Sequence, residues 1–376
     1  MKFKVLSSDL LSHLSAISRV LSNKTAMPIL ENFLFELQPE ALVVTASDGD
    51  TTMITRIAIS EVTGNGRFAV PSKTLLDLLR EMPQQEISFE IDDENLEIFV
   101  NYENGKYNFI ATNAAEYPKK KDLAENAQTL EIPEQVLLGG ITSTIFATSD
   151  DELRPVMNGI FLDIKPDHVI FVASDSQKLV RLENKAVQPG FESSFILPKK
   201  PANLLKGIIG KDMEGNAKVS FDANNAQFQI EDYTIICRLV EGRFPRYESV
   251  IPKNNTNIMT IDRQTFINVL RRVSVFSNSA TNQVKLEIDN NSMTVSAQDI
   301  DFSISAVEKA PCSYNSEPIQ IGFRANFLIE ILNTINSPEI DLKLSDQFRA
   351  GLIVPVANNE NEDLLMLVMP MKLLDF

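Results

Sequence analysis

The sequence contains few of the residues on which catalytic and metal sites most often depend. It has only two histidines, His13 and His168, and two cysteines, Cys237 and Cys312. Two histidines argue against a His-based triad or a multi-histidine metal site, and two cysteines cannot form a disulfide framework or a four-thiolate metal site. We interpret both histidines as structural and Cys237 as a reduced, buried strand thiol. The sequence therefore predicts no catalytic site, no metal and no cofactor.

Phosphate-binding loops and membrane-spanning segments are also missing. Gly64-Asn65-Gly66 lies in a polar connector and lacks the Lys-Ser/Thr ending of a phosphate-binding loop. The longest apolar run, Leu364–Met371, is much shorter than a membrane span. Asp9 and His13 interrupt the N-terminal stretch, so a signal peptide is not predicted. We expect a cytoplasmic protein that does not bind membranes.

Positive charge is scarce. The chain has 35 Lys and Arg against 51 Asp and Glu, a formal net charge of −16. Such a charge on average opposes tight, passive binding to nucleic acid. A hydrophobic content of 44% and a charged content of 23% are nevertheless typical of a folded globular protein. A length of 376 residues favours two or three domains.

One short pattern occurs three times along the chain. Val169–Val180 has the pattern of a strand, a tight turn with a Ser-Asp-Ser cluster, and a second strand. The aligned aspartates of the three copies, Asp48, Asp175 and Asp299, are 127 and 124 residues apart. This near-constant spacing predicts three copies of one domain.

Each third of the chain repeats a half-motif twice: a short strand, an amphipathic helix and several strands. This pattern predicts an α+β fold with helices over residues 8–21, 72–82, 133–147, 198–211, 262–276 and 324–336. A lysine-rich linker, Tyr117–Lys121, and a proline-bearing connector, Gly242–Lys253, separate the thirds. We expect domains at residues 1–123, 124–252 and 253–376.

The charges are distributed unevenly between these elements. The six predicted helices contain 11 basic and 6 acidic residues, a net charge of +5, so the remainder carries −21. A basic helical layer on an acidic strand shell indicates contact with a polyanion along one surface. The alternative is that exposed helix faces commonly carry Lys and Arg.

Several motifs in the same order resemble the family of the bacterial DNA polymerase III beta subunit, the sliding clamps. The resemblance covers the whole chain, and its last two motifs are the most specific. The motifs are Met27–Asn32, Met157–Gly159, Ala173–Asp175 with Leu179, Leu239–Pro245 and Val368–Leu373. The resemblance implies the DNA clamp fold, with three similar domains that each pack two helices on antiparallel sheets. It also implies a head-to-tail homodimeric ring, a closed heterologous assembly.

In this family the helices line the central hole of the ring. The resemblance therefore implies sequence-independent encirclement of duplex DNA through phosphate contacts, with retention by topology and no catalysis. The DNA contacts implied for this chain are Lys24, Lys73, Arg80, Arg154, Lys199, Lys200, Arg271 and Arg272. Relatives often have aromatic residues after Arg154, where this chain has Pro155 and Val156, so stacking contacts there are not expected.

The ring contact is also implied by resemblance. It pairs Lys106, Tyr107 and Phe109 of one subunit with Val275 and Phe276 of the other. The alternative for these aromatic residues is an ordinary place in the core.

Family members also bind short peptides of their partners in an apolar groove. The implied partners are the replicative polymerase subunit, the clamp loader, repair polymerases and other proteins with a clamp-binding motif. The implied groove residues are Met157, Ser174, Lys178, Leu179, Pro245, Val250, Leu367, Met369, Pro370 and Met371. Methionine repacks easily around different peptides.

Two features depart from the family pattern in and near this groove. Ser176-Gln177-Lys178 stands where relatives commonly have Gly-His-Arg, so we expect a different groove polarity. Leu374-Asp375-Phe376 extends beyond the usual end of the family. A peptide-binding scaffold without a DNA function is the alternative hypothesis, and an enzyme is the third.

Overall fold

The structure, a computed structural model, describes residues 1–22, 25–92, 94–211 and 213–373. This part of the chain forms six α-helices, each of which starts within one residue of its predicted start and ends two or three residues before its predicted end. They are α1 Ser7–Ser18, α2 Ser72–Arg80, α3 Glu134–Thr144, α4 Lys199–Ile208, α5 Arg263–Ser274 and α6 Ala325–Thr334.

The strands of the described residues are short and numerous, as expected for a repeated α+β fold. The first group is β1 Lys2–Leu6, β2 Asn32–Leu37, β3 Ala41–Ser47, β4 Thr51–Ala58, β5 Ser60–Thr63, β6 Gly66–Pro71, β7 Glu86–Ile91, β8 Glu97–Tyr102, β9 Gly105–Ile110, β10 Thr112–Asn113 and β11 Gln128–Pro133. The middle group is β12 Gly159–Ile164, β13 Val169–Ser174, β14 Lys178–Asn184, β15 Ser193–Pro198, β16 Asn216–Phe221, β17 Asn225–Ile230 and β18 Tyr233–Arg238. The last group is β19 Asn257–Asp262, β20 Gln283–Asp289, β21 Ser292–Asp299, β22 Ile304–Pro311, β23 Ser313–Tyr314, β24 Ile319–Arg324, β25 Glu339–Leu344, β26 Gly351–Pro355 and β27 Glu362–Val368.

The chain divides into two compact units, each with one large and one small antiparallel sheet. The first unit comprises Met1–Leu138 and Lys200–Leu239, and the second comprises Gly139–Lys199 and Val240–Phe376. The sheets of the first unit have the strand orders β10-β6-β2-β3-β4-β18-β17-β16-β11 and β5-β1-β7-β8-β9. Those of the second unit have the orders β15-β12-β13-β14-β27-β26-β25-β19-β23 and β22-β21-β20-β24.

Each nine-stranded sheet joins strands that are far apart in the sequence. In the first unit β4 pairs with β18, from Thr51 opposite Cys237 to Thr55 opposite Tyr233. In the second unit β14 pairs with β27, with Lys178 opposite Val368. Strands of two successive repeats thus share one hydrogen-bonded sheet.

The helices pack on these sheets through one apolar face. On α5 the buried residues include Phe266, Leu270 and Val273, whereas Arg271 and Arg272 are exposed. Residues three, four and seven positions apart lie on the same side of a helix, so this spacing separates the core face from the charged face. None of the helices in the described ranges is long and apolar enough to cross a membrane.

The turn that marks the three repeats has the same geometry in each copy. One carboxylate oxygen of the aspartate accepts hydrogen bonds from the backbone N–H groups two and three residues later, over 2.7–3.4 Å, at Asp48, Asp175 and Asp299. An aspartate bonded to its own following backbone stabilises a tight turn. The residue after the aspartate has positive φ in two copies, +99° at Gly49 and +76° at Ser176.

The end of the chain differs from the predicted strand over Leu364–Leu373. Strand β27 ends at Val368, so the prediction is wrong for the residues that follow. Pro370 has no backbone N–H to donate and cannot continue the ladder. The chain then turns so that the Met371 N–H donates to the Gly322 carbonyl over 2.8 Å.

Two predicted local features are confirmed. Cys237 is buried on β18, and burial raises the pKa of its thiol to about 12. Gly139 and Gly140 lie inside α3, and Gly140 allows close packing because a Cβ there would lie 2.5 Å from the Phe171 ring. At Gly139 the nearest atom to such a Cβ is 3.9 Å away.

These neighbouring glycines provide a matched test of helix packing. We expect Gly140→Ala to lower the free energy of unfolding by about 1–3 kcal/mol, because the fully buried Phe171 ring has little room to move. Gly139→Ala adds the same methyl group without a clash and raises the stability by up to about 1 kcal/mol. Equilibrium urea unfolding measures both, and equal effects would contradict the packing described above.

Candidate functional site

Two of the basic residues predicted to bind DNA lie together in the first unit. Lys73 and Arg80 are exposed and seven residues apart on α2, so they lie on the same side of the helix. Both line an open cleft of about 580 Å³, together with Ser22 and Pro28 of the preceding loop. Lys24, predicted to act with them, lies outside the described residues.

Lys200 has a structural contact that sequence reasoning missed. Its ammonium group donates to the Val20 carbonyl over 2.7 Å and to Asp48 over 2.5 Å. The carboxylate of Asp48 therefore holds the repeat turn through one oxygen and Lys200 through the other. No local pattern reveals this contact, since 152 residues separate the two side chains.

Most of the other predicted DNA contacts lie beside a carboxylate. The pairs are Arg80–Asp77 at 3.0 Å, Arg154–Asp151 at 2.8 Å, Lys199–Asp150 at 2.7 Å and Arg272–Glu308. The guanidinium groups lower the pKa of the Asp151 and Glu308 carboxyls through hydrogen bonds. Ion pairs at such exposed positions are weak, so the cations can exchange their carboxylate for another anion.

Lys73 and Arg271 differ from this group. Among the residues that the structure describes, no carboxylate pairs with either side chain. Arg271 instead donates to the Asn333 amide oxygen over 3.3 Å. These two cations therefore have the least competition for an incoming phosphate.

An apolar groove lies on the nine-stranded sheet of the second unit. Leu179 and Leu367 are directly opposite each other in the β14–β27 ladder, so their side chains share one face. Both belong to a buried cluster with Ile170, Val172, Ile196, Phe244, Tyr247, Ala350 and Leu352. This cluster forms the floor of the groove.

The remaining predicted groove residues form its rim or its turns. Val250 is 57% exposed and Met369 is 43% exposed, and Pro245 is exposed beside them in sequence order on the connector. Met157 is buried, and Pro370 and Met371 are half-buried. Exposed apolar side chains above an apolar floor are suited to contact with an apolar ligand.

Ser174 and Lys178 have other roles in the structure. The Ser174 hydroxyl donates to the Lys178 carbonyl over 2.8 Å within the repeat turn. The Lys178 ammonium lies 3.1 Å from both Asp175 and Glu330 and 4.2 Å from the centre of the Phe327 ring. The structure therefore does not bring the Lys178 side chain to the face of Leu179, because successive residues of a strand point to opposite faces.

The tail that follows β27 is held in place by the four-stranded sheet. Gln283 donates to the Lys372 carbonyl over 2.9 Å, and Met371 bonds to Gly322 as described above. A Cβ at Gly322 would lie 2.9 Å from the Met371 carbonyl oxygen. The glycine thus allows the tail to approach and orients Met369–Met371 on the rim.

Sequence reasoning missed the aromatic support of the groove. Phe161 stacks on Phe244 with 4.8 Å between ring centroids, and the Tyr247 hydroxyl donates to Asp163 over 3.0 Å. Burial, followed by the charge of Asp163, raises the pKa of Tyr247. The alternation of apolar residues on β12 and β13 was a signal for Phe161 and Val172, which lie opposite each other.

The smaller sheet of each unit ends in an open strand. In the first unit this edge is β9, where Lys106 and Tyr107 are exposed and Phe109 is half-buried. In the second unit it is β22, and at the end of the neighbouring helix α5 Val275 and Phe276 are 72% and 37% exposed. An open strand has unpaired backbone groups and is a site for pairing with another chain.

Further exposed apolar residues on these edges were not predicted. They are Ile110 beside β9 and Ile300, Phe302, Ile304 and Val307 on or before β22. The signal was present in the sequence as apolar residues within Ile300–Val307, directly after the third aspartate turn. An exposed apolar patch of this kind commonly marks a protein interface.

Both histidines contact polar neighbours. His13 Nδ1 lies 2.6 Å from the Thr55 hydroxyl, and burial lowers its pKa, while His168 Nδ1 lies 2.8 Å from Asp167. These contacts agree with their structural interpretation. Within the described ranges no three His, Cys, Asp or Glu side chains are grouped so as to hold a metal ion.

Comparison with known proteins places this arrangement in a family. Sequence models of the N-terminal, central and C-terminal domains of the DNA polymerase III beta subunit match residues 1–121, 131–246 and 248–372. The beta sliding clamp of Haemophilus influenzae is 26% identical over 376 residues, which cover 99% of this chain and 100% of the relative.

Solved structures have the same fold. The beta subunit of DNA polymerase III from Thermotoga maritima has a TM-score of 0.90 at 24% identity, and a Pseudomonas aeruginosa sliding clamp bound to griselimycin has a TM-score of 0.93 at 22% identity. Each comparison covers 99% of this chain and 100% of the other. With three domain matches in order along nearly its whole length, the chain belongs to the DNA polymerase III beta subunit family, the beta sliding clamps, which are non-catalytic processivity subunits of DNA replication.

Proposed function

We propose that two copies of this chain join head to tail into a closed ring that encircles duplex DNA. The ring tethers the replicative polymerase and, through the same groove, the clamp loader, repair polymerases and other partners with a clamp-binding motif. It acts in the cytoplasm and needs no cofactor. The observation that carries the proposal is the pair of open strands, β9 and β22, on otherwise closed sheets.

The repeated strand pairing supports the head-to-tail contact. The meanders β7-β8-β9, β16-β17-β18 and β25-β26-β27 occupy equivalent places in the three repeats. The strands after the aspartate turns, β4, β14 and β22, are equivalent in the same way. Since β18 pairs with β4 and β27 pairs with β14, the remaining partners are β9 of one copy and β22 of the other. Their pairing joins five and four strands into a third nine-stranded sheet.

The side chains on the two edges match this pairing. Tyr107 and Phe109 lie opposite the buried Val100 and Ile98, so they are on the core face of the sheet. Ile304 lies opposite the buried Asp299 and is likewise on the core face of its sheet. Pairing of β9 with β22 thus brings apolar side chains together beside Val275 and Phe276. Because the two patches differ, the contact is heterologous and must close into a ring.

The helix cations support encirclement of DNA rather than tight binding. Arg80, Arg154, Lys199 and Arg272 have local carboxylates, so each phosphate contact replaces an ion pair and adds little affinity. Retention then depends on ring closure, which is compatible with a net charge of −16. Domains at 1–123, 124–252 and 253–376 provide three repeats per subunit for the ring.

The apolar groove supports peptide recruitment. Its floor is formed by Leu179, Leu367 and their cluster, and its rim by Met157, Pro245, Val250 and Met369–Met371. Ser174 shapes the groove by holding its turn, and Lys178 supports the wall from the opposite face. Flexible thioethers on the rim allow several peptides to bind the same site.

The dimer contact can be tested with a matched pair of exposed phenylalanines. Phe302 and Phe348 are 76% and 70% exposed in the second unit, but only Phe302 lies beside β22. We expect Phe302→Asp to raise the dimer dissociation constant by about a hundredfold, because it places a charge in an apolar contact. Analytical ultracentrifugation measures the effect. Phe348→Asp serves as the control, and equal effects of the two variants would contradict the assigned edge.

The DNA contact can be tested at Lys73 and Arg271. We expect Lys73→Glu with Arg271→Glu to reduce loading and polymerase processivity by about tenfold and to lower the slope of log affinity against log salt, since each lost phosphate contact removes about 0.9 from it. Lys185→Glu with Lys253→Glu changes the net charge equally at other exposed sites. Full processivity of the first variant would favour the peptide scaffold. Wild-type protein loaded on nicked circular DNA should slide off after linearisation, and retention on free ends would contradict encirclement.

The groove can be tested at its most exposed aliphatic rim residue. We expect Val250→Glu to weaken binding of a labelled clamp-binding peptide by at least about tenfold, because an unpaired carboxylate would be desolvated by the ligand. Val356→Glu is the control, since Val356 is 49% exposed but belongs to neither the groove floor nor its predicted rim. Fluorescence anisotropy on the full chain measures both affinities, and unchanged binding by the Val250 variant would place the peptide elsewhere.

A further inference from the structure

The first unit contains a second groove, one repeat earlier than the apolar groove. It is a cavity of about 400 Å³ on the nine-stranded sheet. Strand residues that include Leu34, Thr45 and Thr52 form one side, and the segment Tyr117–Lys121 forms the other. Thr55, on the opposite face of β4, contacts His13 of α1, so this groove lies on the face of the sheet away from that helix.

The backbone of this groove matches that of the apolar groove. Tyr117 and Pro118 precede Phe244 and Pro245 by 127 residues, the spacing of the first two aspartate turns. The Arg238 N–H donates to the Asp50 carbonyl over 3.1 Å. At the equivalent positions, 131 and 127 residues later, the Met369 N–H donates to the Gln177 carbonyl over 2.8 Å. The two grooves therefore have the same frame of turn, strand and connector.

Their side chains differ in polarity. Thr45 and Thr52 stand 127 residues before Val172 and Leu179, which form the floor of the apolar groove. Lys120 stands at the same distance before Tyr247. Hydroxyl and ammonium groups thus replace apolar floor residues, and an apolar peptide would leave them without hydrogen bonds. The first groove is suited to a polar ligand.

The charges of the lining determine the sign of that ligand. Lys119, Lys120 and Lys121 are exposed along one side, and Arg67 forms an ion pair with Glu36 at 2.9 Å. The charged lining residues thus carry a net positive charge within a chain whose net charge is −16. A local patch of opposite sign attracts and orients an acidic partner.

The lining favours an acidic peptide over single-stranded nucleic acid. Nucleic acid strands are usually bound through stacking on exposed aromatic side chains. Tyr117 is the aromatic residue of the described lining, and it is buried, with its hydroxyl 3.5 Å from the Thr45 carbonyl. We propose that this lysine-lined groove binds an extended acidic segment of a partner protein, as a docking site separate from the apolar groove.

The proposal can be tested with fluorescein-labelled decaglutamate and the full chain. We expect Lys119→Ser/Lys120→Ser/Lys121→Ser to weaken decaglutamate binding by about tenfold, since three exposed charge contacts are lost. The control, Lys185→Ser/Lys218→Ser/Lys253→Ser, removes the same charge at other exposed positions and should bind as the wild type does. Carbodiimide cross-linking to the wild type should couple the probe to residues 119–121.

Three results would overturn the proposal: equal binding by the two triple variants, cross-links confined to Lys199 and Lys200, or tighter binding of an oligothymidylate of the same length that depends on Lys119–Lys121. The last result would assign the groove to nucleic acid. The measurement requires neither DNA loading nor a clamp-binding peptide. Its failure is therefore distinguishable from failure of the proposed clamp function.

Discussion

Antiparallel pairing between strands of successive repeats is the constraint on which the rest of this structure depends. A strand edge exposes unpaired N–H and C=O groups, and the chain closes two such edges itself by pairing β4 with β18 and β14 with β27. The repeat pattern leaves β9 and β22 without an equivalent partner within the described residues. Three similar domains that pair in sequence therefore require a second copy, and a head-to-tail ring is the closed solution.

The aspartate turn allows the repeats to diverge without a change of backbone. In each copy the carboxylate satisfies its own turn, so the geometry does not depend on the neighbouring side chains. Thr52 and Leu179 consequently occupy equivalent positions on grooves of opposite character. One copy provides an apolar site for peptides, and another provides the polar site that we assign to an acidic segment.

The charges follow a related principle. Lys200 supports the first turn through Asp48, so a residue that resembles a DNA contact contributes to the fold. Other helix cations have carboxylates within ion-pair distance, which weakens their attraction for phosphate. A protein that moves along DNA needs such weak contacts, because tight ones would hold it at one place. Topological retention makes high affinity unnecessary.

The sequence by itself determined the features that depend on neighbouring residues. Helical spacing located all six helices, the Ser-Asp-Ser cluster located the middle turn, and Gly139-Gly140 indicated close packing in α3. Among the candidate sites, it identified the apolar floor through Leu179 and Leu367 and the helix positions of the exposed cations.

Only the tertiary structure decided which distant groups meet. It placed the Lys178 ammonium beside Glu330 rather than on the groove, turned the tail at Pro370 towards Gly322, and left Phe302 exposed beside an open strand. The physical reason is that local periodicity determines which face of an element is apolar. The partner of that face, or of a charge, depends on strand pairing between residues more than a hundred positions apart.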